Sequence, residues 1–138
     1  MPFLDLIIEP SAPSPHAVAK VQRGLTRLMA MVMHKREDLT FVRVTTSPDA
    51  HSTIGGESVP ADTWSGRLVA YVTAGTNTEE EKARFIDAAY ALLAEHLSTP
   101  VSPFYIVVQE VPAASWGYDG WTQADRAKPA RESTVAVR

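Results

Sequence analysis

Pro2 is the residue with the most distinctive chemistry in this 138-residue chain, because a small residue after an initiator methionine ordinarily permits removal of Met1. Trimming would leave a secondary amine at the first position. An ordinary α-amino group titrates at about 7.7 to 8.0, and an apolar or cationic pocket disfavours its protonated form further. The result would be a base matched to neutral pH. A proline that still carries Met1 is an amide and has no such reactivity. A Met-Pro start can also be an accident of sequence, so the reading depends on what the rest of the chain builds around it.

Other chemistries find little support. With no cysteine there is no thiolate nucleophile, thiolate metal site or disulfide framework. His16, His34, His51 and His96 are scattered without metal-ligand spacing or an accompanying carboxylate cluster. Gly55-Gly56 is too short for a phosphate loop and does not open a helix. The formal charge of -3 offers no field for nucleic acid or an anionic membrane. The start MPFLDLIIEP lacks a basic n-region and is broken by proline, so it reads as a strand in a soluble, cytoplasmic protein and not as a signal peptide. No apolar run is long enough for a membrane span.

The elements that must position Pro2 come in two similar halves. Phe3 to Ile8 is a short apolar run ending in the turn cluster Glu9-Pro10-Ser11-Ala12-Pro13, and it predicts a mostly buried strand. Ser14 as N-cap with Pro15 at the first helical position predicts a helix. Val18, Val21, Leu25, Leu28 and Val32 form its apolar stripe. Met29, Met31 and Met33 read as core and interface filling. Phe41 to Thr45 follows as a strand rich in β-formers. The second half repeats this order with a strand over Leu68 to Thr73, a turn at Ala74-Gly75-Thr76-Asn77, a helix and a strand over Phe104 to Val108. Thr78 and Glu81 have the spacing of a capping box, and Phe85, Ala89, Leu92, Leu93 and Leu97 supply the buried face. Gly66 matches Pro2, Tyr105 matches Arg43 and Gly120 matches Gly56, an offset of about 62 to 64 residues that indicates duplication. The expected architecture is α+β: two tandem βαβ repeats forming a four-stranded sheet with two helices on one face. The repeats span about 2–57 and 66–121, joined by a linker near 51–65 and followed by a polar arm over 122–138.

The Met-Pro start, the segment FVRVTTSPDAHSTIGGE and the segment FYIVVQEVPAASWGYDGW together resemble the tautomerase superfamily, in particular fused two-repeat relatives of 4-oxalocrotonate tautomerase. Ile54-Gly55-Gly56-Glu57 and Trp116-Gly117-Tyr118-Asp119-Gly120 look like the small hairpins that close each repeat of that family. The resemblance implies a homotrimer without a cofactor, in which Pro2 transfers a proton between carbon and oxygen of a small carbonyl or enol substrate. It also implies a pocket drawn chiefly from the second repeat, of the same chain and of a neighbour. That reading puts Thr76, Asn77, Tyr105, Trp116 and Tyr118 around Pro2, leaves Arg43 nearer the proline-less site at Gly66, and keeps Arg67 as a cation for the pocket or an interface charge.

The chain departs from the family pattern where arginines commonly follow the first strand of a repeat; here stand Ala12, Thr76 and Asn77. An aromatic, hydroxylic pocket disfavours a dicarboxylate and favours a neutral or monoanionic carbonyl compound. Tyr105 serves equally as a half-buried sheet aromatic, and Trp116 as hairpin packing. Tyr118 stands where dehalogenating relatives carry a water-activating acid, although Asp119 or Asp38 could supply one. The alternatives to a tautomerase are therefore a catalytically silent trimeric module of the same fold and a hydratase or dehalogenase.

Overall fold

The structure, a computed structural model, describes residues 2–10 and 12–128. In chain order it contains strand β1 (Phe3–Pro10), helix α1 (Pro15–Met31), strand β2 (Phe41–Thr46), the short pair β3 (Thr53–Ile54) and β4 (Glu57–Ser58), strand β5 (Trp64–Thr73), helix α2 (Glu79–Leu97) and strand β6 (Tyr105–Val111). A second short pair, β7 (Gly117–Tyr118) and β8 (Trp121–Thr122), precedes the helical turn α3 (Gln123–Arg126). The long strands form one mixed sheet in the order β2-β1-β5-β6. β1 pairs parallel with β2 and antiparallel with β5, and β5 pairs parallel with β6. Each repeat is thus a parallel βαβ unit, and the two units join back to back along β1 and β5.

The capping signals translate directly into helix starts. The Ser14 hydroxyl accepts from the Ala17 N–H at 3.1 Å, with Pro15 beginning the helix where its missing donor costs nothing. At α2 the box is reciprocal: Thr78 Oγ1 accepts from the Glu81 N–H at 3.1 Å, and Glu81 Oε1 accepts from the Thr78 N–H at 2.9 Å. Leu4, Leu6 and Ile8 alternate into the core against Leu68, Ala70 and Val72, under Val21, Leu25 and Met29 of α1 and Phe85, Ala89 and Leu93 of α2. Each such aliphatic side chain contributes about 1.5 to 3 kcal/mol on burial. Met33, just past the end of α1, joins this core, but Met31 is 68% exposed, because it lies two residues from the buried Met29 and points to a different side of the helix.

Several boundaries shift from the sequence reading. β5 begins at Trp64, inside the expected linker, because the Trp64 ring packs into the core at 4% exposure and its Nε1 donates to the Ser98 carbonyl at 2.9 Å. Gly66 lies within this strand at φ +145°, and a Cβ there would sit 1.8 Å from the Ile7 carbonyl oxygen, so the β1–β5 approach itself demands glycine. The arm expected over 122–138 is structured as far as Lys128: Thr122 caps α3 by accepting from the Asp125 N–H at 2.9 Å. Residues 129–138 of that arm lie outside the described residues. No described helix is long and apolar enough to cross a membrane.

The helices cover one face of the sheet. The other face carries Phe3, Phe41, Tyr71, Tyr105 and Val107, of which Phe41 is 57% and Tyr105 65% exposed. Phe3 anchors an aromatic cluster there, edge-on to Phe41 and stacked on Tyr71, each with centroids 5.3 Å apart.

Candidate active site

Pro2 sits at the mouth of β1, its side chain less than 2% exposed and its carbonyl accepting from the Phe41 N–H at 3.2 Å. Beside it opens a mostly apolar cavity of about 360 Å³, bounded by Phe41, Arg43, Trp116, Tyr118 and Gln123. Three influences converge on one proline. β1 fixes its position, β2 brings a guanidinium, and the hairpin β7–β8 brings two aromatic rings.

The hairpin is held by contacts that the sequence explains locally. Gly117 is required because a Cβ there would meet the Trp121 carbonyl oxygen at 1.9 Å. The Gln123 N–H closes the hairpin on the Trp116 carbonyl at 2.9 Å. Trp116 Nε1 donates to the Thr73 hydroxyl at 3.2 Å, tying the hairpin to the end of β5. The Arg126 guanidinium lies 3.7 Å from the Tyr118 ring centroid and donates to the Tyr118 carbonyl at 2.9 Å. Asp125, paired with Lys128, is held below the usual carboxylate range by that hydrogen bond and charge.

Of the residues expected around Pro2, the structure gathers Trp116 and Tyr118. It adds Arg43, correcting its assignment to the proline-less end. The parallel register sets Phe41 opposite Phe3, so Arg43, two residues further on, faces the same side of the sheet near Pro2. Thr76 and Asn77 do not line this cavity, because their polar groups are engaged between the helices. Lys35 Nζ donates to Thr76 Oγ1 at 2.7 Å, and Thr76 Oγ1 donates to the Thr73 carbonyl at 2.6 Å. Asn77 Nδ2 donates to the Met33 carbonyl at 2.9 Å and to Glu81 Oε1 at 3.2 Å. Burial at this junction lowers the Lys35 pKa, against the opposing charge of Glu81.

Tyr105 and Arg67 are register partners of each other, and Arg67 stands opposite Ile7, toward the far end of β1 from Pro2. Within one chain they do not reach the cavity. Phe3, Phe41 and Gln123 are lining residues that the sequence reading did not place at the site. Phe41 was accessible from the strand alternation with Arg43. Gln123 carried no periodic signal, being the first residue of a single helical turn. Asp119 lies on the hairpin tip and Asp38 beside Arg36, which it binds at 2.7 Å; neither lines the Pro2 cavity. Among the described residues no group of three or more His, Asp or Glu gathers as a metal site.

The tautomerase-enzyme family model matches residues 70–126, from the middle of β5 through the hairpin to Arg126. Among solved structures, the F6 fused 4-OT (4-oxalocrotonate tautomerase) wild-type asymmetric trimer has 18% identity and a TM-score of 0.78, over 91% of this chain and 99% of that one. The chain has the fold of the fused 4-OT structures, and its residues 70–126 match the tautomerase-enzyme model. Native fused 4-OT is similar at 22% identity and a TM-score of 0.77, again over 91% of this chain and 99% of that one. The macrophage migration inhibitory factor-like protein of Entamoeba histolytica shares the tautomerase fold at 17% identity and a TM-score of 0.71, over 88% of this chain and 97% of that one. No curated protein matches the sequence.

Proposed function

We propose that the protein is a tautomerase-type isomerase in which Pro2, freed of Met1, is the general base for a keto-enol proton transfer. The observation that carries this reading is the proline buried against a cavity that holds one guanidinium and four aromatic rings, those of Phe3, Phe41, Trp116 and Tyr118. The amine takes a proton from the substrate carbon or enol oxygen and returns it to the other atom. Arg43 holds a substrate carboxylate, and its charge, with the apolar walls, favours the neutral amine. Trp116 and Tyr118 enclose the apolar part of the substrate. A single cation in an aromatic cavity suits a monoanionic carbonyl compound better than a dicarboxylate.

The working form is proposed to be a homotrimer. The support is the helix-free sheet face, which leaves Phe41 exposed on edge strand β2 and Tyr105 and Val107 exposed on edge strand β6. Tyr105 and Arg67 lie on that face and would reach a Pro2 cavity only across such an interface.

The test is ketonisation of the enol of phenylpyruvate, with intact mass measured to establish loss of Met1. Replacing Pro2 by Ala is expected to abolish turnover while leaving the fold intact; an unimpaired variant would sink the proposal. A catalytically silent trimer is the second reading, favoured by Thr76 and Asn77 standing in place of arginines, and retention of Met1 in the mature protein would decide for it. Hydrolytic dehalogenation is disfavoured by the lack of a carboxylate among the residues lining the cavity; halide release from small haloacrylates tests it.

A further inference from the structure

Gln123 Nε2 is the one buried side-chain nitrogen or oxygen among the described residues without a hydrogen-bond partner. Its residue lines the Pro2 cavity. A buried amide donor left unpaired costs about 1 to 3 kcal/mol, and such groups are rare enough in folded proteins to require an explanation. Nothing in the hairpin needs this amide. The backbone of Gln123 already closes the hairpin onto Trp116, and its carbonyl accepts from the N–H of Ala127, the residue that follows α3. Methionine or leucine would fill the same space without an orphaned donor.

We propose that the Gln123 amide is the hydrogen-bond donor for the keto or enolate oxygen of the ligand in this cavity, making the protein selective for 2-oxo acids over acids that lack the oxo group. The proposal rests on the proton-transfer reading for its choice of cavity. The carboxylate would be taken by Arg43, the apolar body by Trp116 and Tyr118, and the remaining oxygen by Gln123. The terminal torsion of a glutamine is broad and roughly two-fold, so a small turn of the amide presents its NH2 group to the cavity. In proton abstraction the oxygen gains negative charge, and a donor fixed on the hairpin stabilises that charge without reorganisation. The amide touches the ligand and moves no proton itself.

The experiment compares phenylpyruvate with 3-phenylpropionate, which keeps the ring and the carboxylate but has no oxo oxygen. Calorimetric titration of the full chain is expected to show tighter binding of phenylpyruvate. In Gln123→Met that affinity falls about tenfold or more, while 3-phenylpropionate changes less than about twofold. The melting temperature of Gln123→Met should be unchanged or higher, since an unsatisfied donor has been removed. Gln123→Glu should weaken both probes, because a carboxylate there repels both anions.

Equal weakening of the two probes in Gln123→Met, no weakening of either, or a wild-type protein that binds neither would overturn the assignment. The outcomes separate from those for Pro2. Selective binding without enol ketonisation removes the proton-transfer reading and keeps the amide assignment; turnover lost in Pro2→Ala but untouched in Gln123→Met does the reverse.

Discussion

The indole Nε1 of Trp116 donates to the hydroxyl of Thr73 at 3.2 Å. Thr73 ends the central strand β5, and Trp116 opens the hairpin that roofs the cavity, so this bond fastens the hairpin to the sheet. The backbone carbonyl of Thr73 in turn accepts from the Thr76 hydroxyl, which itself accepts from Lys35. Thr73 therefore binds the roof through its hydroxyl and Thr76 through its carbonyl.

Thr73→Val keeps the shape of the side chain and removes the acceptor. The variant should lose about 1 kcal/mol of stability, the usual net worth of one such bond. Its larger effect should fall on ligand binding, because the unanchored Trp116 ring no longer holds one wall. Urea unfolding and titration with phenylpyruvate measure the two effects separately, and a loss of stability with unchanged affinity would show that the ring is held by packing alone.

Gly66→Ala should be severe. The added Cβ would fall 1.8 Å from the Ile7 carbonyl oxygen, at a φ of +145° that other residues rarely adopt. The strands cannot separate locally, since β1 and β5 pair from Phe3–Tyr71 to Pro10–Trp64 through the middle of the sheet. A loss of roughly 3 kcal/mol or more is expected, from strain and broken ladder bonds together. Thermal unfolding monitored by far-ultraviolet circular dichroism checks it.

The duplicated plan was legible because its signals are local. Ser14 with Pro15, and Thr78 with Glu81, declare helix starts through atoms within three residues, and the alternation of Leu4, Leu6 and Ile8 declares a half-buried strand. Gly66 was found by matching repeats, although its physical cause, the approach of Ile7, comes from a strand some sixty residues away. The site was less legible for the same reason. Whether Arg43 lies beside Pro2 depends on the register of β1 against β2, and a shift of one residue would send it to the other face. Thr76 and Asn77 have the right chemistry for a pocket, yet short polar side chains before a helix are readily used by the backbone around them. Gln123 follows the last short strand and belongs to a turn too brief to leave a periodic pattern.

The capping box of α2 should respond to acid. Glu81 is held below its usual pKa of 4.5, first by the Thr78 N–H, then by the Asn77 amide and the charge of His34. A carboxylate whose folded pKa is depressed contributes stability above its unfolded pKa and loses it as pH falls through the folded value. The stability gap between wild type and Glu81→Gln should therefore be fully open above about pH 5 and close progressively below 4.5. Denaturant midpoints for both proteins across this range provide the measurement, and a gap independent of pH would assign the effect to hydrogen bonding without charge.

Arg43→Gln should separate charge from shape in the cavity. A charge-assisted bond to a carboxylate is worth about 1.5 to 3 kcal/mol, so phenylpyruvate affinity should fall roughly ten- to hundredfold. A neutral analogue such as phenylacetone, which keeps the ring and the carbonyl, should bind both proteins alike. Because Arg43 is exposed on the helix-free face, its replacement should leave the melting temperature nearly unchanged. Equal loss for both ligands would place the guanidinium in packing and not in carboxylate recognition.

Arg126 makes the final prediction, since it holds Tyr118 in two ways at once. Its guanidinium stacks 3.7 Å from the ring centroid and donates to the carbonyl of the same residue at 2.9 Å. A planar fork can do both, whereas an ammonium cannot stack flat on a ring while reaching that carbonyl. Arg126→Lys should therefore lose most of what Arg126→Ala loses, about 0.5 to 1 kcal/mol at an exposed site. If α3 serves to set the Tyr118 ring against the cavity, both variants should also weaken phenylpyruvate binding, although Arg126 is not among the residues lining it. Retention of full affinity by Arg126→Lys, with loss only in Arg126→Ala, would mean that charge near the hairpin matters and the stacking geometry does not.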